Sequence, residues 1–291
     1  MRLSTQGVMA AWSAGIGFGA GAIKVGEREW RASPLIWLSV QAAALWPHGL
    51  WMARRMLDRS DEPLGLAALV MLAFVLWRLR ARLCTAPRFS WLAAAATLTV
   101  IANGALFVLP PLVCALVGAL ALAAGICAWL PQGAAHTPLA GLLVLALPLI
   151  SSLQYYGGYP LRVLTAQISA WTLQLVGIDA ERNGVSMWVR GQLVIVDAPC
   201  SGVQMAWMAY FCACTVAAFR ATPDSHFMRR LPWVGVLVLC GNVLRNSVLV
   251  ALEARLVSVP EWVHQGVGLA VLALVCTAVV ALMRGGSDVR V

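Results

Sequence analysis

Apolar residues fill this chain in long runs, and short clusters of Arg, Pro and acidic residues interrupt them. A helix that crosses a bilayer needs about 20 mostly apolar residues. The pattern predicts spans near 7–23, 34–52, 64–79, 91–109, 111–130, 138–154, 201–219, 231–256 and 266–283, the first being the weakest. Pro110-Pro111 separates two of them, because a proline in a helix interior removes a hydrogen bond and clashes with the preceding turn. The expected fold is an all-α polytopic membrane protein, a bundle of about eight or nine transmembrane helices.

One segment breaks the pattern. Between 155 and 200, Leu161, Leu164, Ile168, Trp171 and Leu175 recur at helical spacing, with Arg162, Thr165, Gln167 and Gln174 elsewhere around the wheel. This periodicity predicts an amphipathic helix lying in the membrane interface. After Asp179-Ala-Glu-Arg-Asn-Gly184, the run VSMWVRGQLVIV holds two β-rich pieces around Arg190-Gly191, a small hairpin. The hairpin delivers the chain to Cys200. Residues 1–137 therefore read as N-terminal transmembrane helices. Residues 138–291 read as the region with the chemistry, including an extracytoplasmic segment at 155–199.

Composition supports immersion in lipid: 61% of the 291 residues are hydrophobic and 11% charged, against about a quarter charged in soluble domains. The net charge of +9 gathers in the connections Arg78–Arg88 and Arg220–Arg230 and in the tail at Arg284 and Arg290. By the positive-inside rule these mark the cytoplasmic side, which leaves 155–199 outside. No Lys/Arg stripe interleaved with aromatics is present, so lipid is the expected partner and nucleic acid is not. The eight cysteines fall mostly in apolar runs, where a thiol packs as a small hydrophobe. Cys212, Cys214 and Cys240 read as core. Cys212 and Cys214 face different directions on a helix with no His or second pair nearby, so zinc is not expected; only Cys200 sits in a loop that could be oxidised, so neither is a disulfide framework, and no cofactor is expected.

Three polar features stand out in the last third. VDAPCSGVQM places Cys200, Ser201 and Gly202 at the start of a span. GNVLRNSVLV sets Asn242, Arg245 and Asn246 inside an apolar run. VPEWVHQGVG puts His264 at the head of the final span. An arginine near the centre of a membrane helix costs about 2.5–3.5 kcal/mol on insertion scales, so Arg245 reads as functional. The structural alternative ties it to backbone carbonyls or to Glu253. By depth, Cys200, Arg245 and His264 meet in one outward-facing cavity. There a cation and an imidazole lower the thiol pKa, and the helix start at Ser201-Gly202 offers donors for a developing oxyanion. His48, His136 and His226 have no matching partners and read as structural.

These motifs, in this order on successive final spans, resemble the exosortase/archaeosortase family of membrane cysteine proteases and transpeptidases, whose marks are Cys-Ser-Gly, Asn-x-x-Arg and a later His. The resemblance covers roughly 140–285. Pro199 stands where a small residue is common, and Val203-Gln204-Met205 replaces a more usual Leu-Arg continuation. The resemblance implies Cys200 as nucleophile, Arg245 as the essential arginine and His264 as the third member, with Ser201, Gly202, Asn242 and Asn246 in support. It further implies substrate proteins bearing a C-terminal motif such as Pro-Glu-Pro, a transmembrane helix and a basic tail. Cleavage would occur at the periplasmic face of the bacterial inner membrane, and an acceptor nucleophile of unknown identity would take the product. The alternatives are a membrane transporter that uses Arg245 as an anion contact, and a scaffold subunit of an envelope or exopolysaccharide system.

Overall fold

The computed structural model describes residues 33–57, 63–131, 133–189, 191–195, 202–253 and 260–285. The weak span at 7–23, and Cys200 with Ser201, lie outside the described residues. In chain order the helices are α1 (Pro34–Ala44), α2 (Trp46–Leu57), α3 (Gly65–Leu79), α4 (Phe89–Ala105), α5 (Pro111–Cys127), α6 (His136–Leu145), α7 (Ile150–Leu175), α8 (Val203–Phe219), α9 (Asp224–Glu253) and α10 (Glu261–Arg284). A 3-10 turn, Arg80–Arg82, follows α3. Three short strands, β1 (Ala180–Asn183), β2 (Ser186–Val189) and β3 (Gln192–Ile195), lie between α7 and α8.

The helical character agrees with the sequence, but prolines redraw several boundaries. The run at 34–52 is two helices, because Pro47 has no N–H for the carbonyl of Ala43 and the helix closes at Leu45, whose N–H donates to the Gln41 carbonyl (3.0 Å). The run at 138–154 is likewise broken. Pro148 cannot donate to Val144, Leu147 takes that carbonyl instead (3.1 Å), and α6 and α7 meet at 92°. The amphipathic helix therefore begins at Ile150 rather than at 155, and it runs through Pro160 without stopping. Pro232 does not start α9 either; that helix begins at Asp224, within the basic segment expected to be a loop. Among the described residues α9 and α10 are long and apolar enough to cross a membrane, the bent pair α6–α7 adds a third candidate, and α1, α4, α5 and α8 are apolar but shorter. The expected eight or nine spans are not reached on that criterion.

The β segment is larger than a hairpin. It is a three-stranded antiparallel sheet in the order β1-β2-β3, registered Asn183↔Ser186 in the first pair and Val189↔Gln192 in the second. Met187 and Val189 turn inward onto Ala166, Ala170 and Leu173 of α7 and Val250 of α9. Gln174 donates to the Ala180 carbonyl (2.7 Å) and Arg182 to the Gln167 side chain (2.6 Å), so helix and sheet form one unit. The protein-facing side of α7 is small and partly polar: Thr165, Ala166, Ser169 and Ala170 are buried. The predicted apolar stripe points away from the protein, with Leu161, Leu164, Trp171 and Leu175 exposed.

The main core joins side chains of α3, α5, α6, α8, α9 and α10. Cys214 is buried there, whereas Cys240, expected in the core, is exposed on α9. At the end of the molecule where α6 and α9 begin, a polar clamp ties the elements together. Arg88 donates to the carbonyls of Cys127 (2.7 Å) and Leu130 (3.3 Å) and meets His136 Nε2 (2.7 Å). His136 Nδ1 pairs with Asp224 (3.2 Å), which also accepts from the Thr137 amide (2.9 Å) and hydroxyl (2.8 Å). Trp91 stacks on the His136 ring.

Candidate active site

The site begins at a turn that only a slim residue can make. Gly202 caps the start of α8 in the left-handed region (φ 82°), which costs other L-residues roughly 1–2 kcal/mol. Its carbonyl accepts the first helical bond, from the Ala206 amide (2.8 Å). A Cβ at this position would lie 2.9 Å from Cγ of Asn242. Conformation and close approach thus both select glycine two residues beyond Cys200.

Asn242 comes from the middle of α9 and is 2% exposed. Nothing apolar can satisfy a carboxamide at that depth, and its Nδ2 donates to Oγ1 of Thr165 on α7 (3.1 Å). Asn246, one turn further along α9, is also buried. Arg245 projects from the same helix toward α10, where Gly268 makes room for it: a Cβ there would stand 3.3 Å from the guanidinium Nε. Glu253, eight residues further along α9, faces His264 across Nε2–Oε1 of 3.4 Å, both side chains being about one third exposed.

Gly202, Arg245 and Gly268 border one cavity of about 430 Å³, together with Gln204, Met205 and Met208 of α8, Gln265, Leu269 and Leu272 of α10, and Leu64. Its lining is mainly apolar, with one cation and two carboxamides. His264 is not among the lining residues; it stands one helical turn above Gly268, about 6 Å along α10. The sequence-predicted set is therefore split. Gly202, Asn242 and Arg245 come together, Asn246 lies one turn along, and His264 is one turn removed in its own pair with Glu253. Thr165, Gly268, Gln204 and Gln265 were not singled out by sequence reasoning. Gly268 had a legible signal, being four residues after His264 and so on the same helix face.

Electrostatically, the cavity receives the positive end of α8 and the guanidinium of Arg245. A helix start carries a partial positive charge, and an arginine offers a planar fork of donors. Together they suit a thiolate, a carbonyl that becomes an oxyanion, or another anionic group.

Apolar helices arranged around a mainly apolar cavity that holds one cation at a helix start are those of a helical membrane protein. The family follows from comparison: the model of transmembrane exosortases matches residues 51–281, and the chain belongs to that family. No curated protein and no solved structure matches the chain.

Proposed function

We propose that this protein is an integral-membrane cysteine peptidase/transpeptidase that cleaves a C-terminal sorting signal from exported proteins at the periplasmic face of the bacterial inner membrane. One observation carries the reading: Gly202, two residues after Cys200, is packed against Asn242 beside a cavity that Arg245 lines. In this reading residues 138–291 hold the reacting groups and residues 1–137 the supporting helices.

The Cys200 thiolate attacks a peptide carbonyl of the signal. A C–S bond forms, and the carbonyl oxygen gathers negative charge that the guanidinium of Arg245 and the first amides of α8 stabilise. The C–N bond then breaks, and His264, oriented by Glu253, supplies the proton that the leaving amine requires. The fragment with the transmembrane helix and basic tail departs. An acceptor nucleophile or water attacks the thioester and restores the thiol. The products of such a reaction suit an exopolysaccharide or envelope system that receives processed proteins.

The test is an exported reporter ending in a Pro-Glu-Pro-type motif, a transmembrane helix and a basic tail, co-expressed with this protein. Wild type is expected to yield the shortened reporter and Cys200→Ala none, at equal membrane abundance of the two enzymes. Processing that survives Cys200→Ala would remove the nucleophile assignment and favour a scaffold.

A further inference from the structure

The polar side of α7 has an occupation that membrane contact does not explain. Thr165 is fully buried among small residues that pack without polar groups, as Ala166 and Ala170 show on the same face. A buried hydroxyl is costly unless it is bonded. This one accepts from Asn242 Nδ2 at 3.1 Å, while Ser169, one turn on, donates to the Val243 carbonyl at 3.5 Å. Both contacts reach α9 at the level where Asn242 touches Gly202. Three elements therefore meet through one carboxamide: α7 holds it, α9 carries it, and the start of α8 rests on it.

We infer that Thr165 is a positioning residue of the reaction centre: its hydroxyl fixes the Asn242 carboxamide against Gly202, and so sets the start of α8, two residues after Cys200 in sequence, relative to Arg245. The inference rests on the assignment of Cys200 as nucleophile. A carboxamide has several rotamers, and only some leave space beside Gly202. The hydrogen bond that its Nδ2 donates to the hydroxyl of Thr165, a stiff β-branched residue on the α9-facing side of α7, favours one of them. Replacing Thr165 by Val keeps the shape and removes the acceptor, leaving Asn242 buried without that partner. Thr165→Ser keeps the hydroxyl.

The experiment follows labelling of Cys200 by a membrane-impermeant maleimide in spheroplasts across pH, using the full chain with Cys200→Ala as blank. Rates are normalised to protein in the membrane. Wild type is expected to label with a midpoint well below the free-thiol value of about 8.5. Thr165→Val is expected to raise the midpoint by about one unit, which slows labelling roughly tenfold on the acid side, where the thiolate fraction falls tenfold per unit. Thr165→Ser is expected to label as wild type. The double variant Thr165→Val/Asn242→Ala should be no slower than Asn242→Ala alone, because the hydroxyl acts through that carboxamide. If Thr165→Val does not accumulate, Thr165→Ala is scored in its place. A Thr165 variant that labels as wild type while Arg245→Ala shifts the midpoint overturns the positioning inference alone. So does equal loss in Ser and Val variants, or strict additivity with Asn242→Ala. A wild-type midpoint at the free-thiol value, indifferent to Arg245→Ala, overturns the nucleophile assignment and the inference with it.

Discussion

Arg88 and Arg245 are both drawn into the protein, near opposite ends of α9, and their surroundings differ in kind. Arg88 spends its donors on two backbone carbonyls and an imidazole, at 2.7–3.3 Å. Those acceptors come from the end of α5, the segment after it and the start of α6, with Asp224 completing the chain from α9. About 30 Å along α9 from Asp224, at 1.5 Å per residue, Arg245 lies against Gly268 and borders a cavity. The first arginine joins three segments, and the second lines a cavity. A half-buried cation is thus no functional sign by itself; what marks Arg245 is the ligand-sized volume beside its guanidinium. Conservative exchange to lysine breaks the comparison most directly. Arg245→Lys keeps the charge but loses the planar fork, and is expected to lower reporter processing roughly 10²–10³-fold with membrane abundance unchanged. Arg88→Lys is expected to do the reverse. The protein should lose about 2–4 kcal/mol as charge-assisted bonds are broken, seen as lower abundance and a lower melting temperature in detergent, while each surviving molecule processes normally. Arg245→Lys acting mainly on stability would erase the distinction.

Gly202→Ala sharpens the contrast at the site end. The added methyl meets Asn242 at 2.9 Å and the backbone must hold φ 82°. The strain of about 1–2 kcal/mol falls on the turn next to Cys200, so processing is expected to drop at least tenfold, a loss equivalent to 1.4 kcal/mol. The same glycine-to-alanine change at Gly49, where a Cβ meets nothing within 4 Å, should leave processing untouched. Equal effects at both positions would show that the Gly202 contact has no bearing on the site.

The same two regions explain what the sequence disclosed. Long apolar runs announced helices, and the motifs around Gly202, Asn242 and Arg245 fall at the start of α8 and within α9. Periodicity also found α7 and its apolar stripe. It could not find which side of α7 touches protein, because Thr165 and Ser169 look like ordinary polar residues of a wheel until α9 is beside them. The breaks at Pro47 and Pro148 and the continuity through Pro160 and Pro232 were equally illegible. A proline always removes one hydrogen bond, but whether the helix bends or runs on depends on the packing around it. β1 was hidden because Ala-Glu-Arg-Asn carries no apolar alternation; it forms by pairing with β2 and through the bonds from Gln174 and Arg182. The clamp left little trace either, since Arg88, His136 and Asp224 are distant in sequence and meet only when α4, α6 and α9 pack.

The smallest expected effect probes the pair that stands apart from the cavity. His264 and Glu253 are each about one third exposed at 3.4 Å, and an ion pair so placed is worth under about 1 kcal/mol. Glu253→Gln is therefore expected to slow reporter processing only a few-fold and to leave the melting temperature nearly unchanged. His264→Ala, measured in parallel, should cost about a hundredfold or more if the imidazole carries the leaving-group proton. The ratio between the two is the informative quantity. A large gap assigns the proton to His264 and reduces Glu253 to orienting it. Equal small losses would make the pair a tie between the ends of α9 and α10, like the clamp around Arg88, and would leave the proton to be carried by water in the cavity.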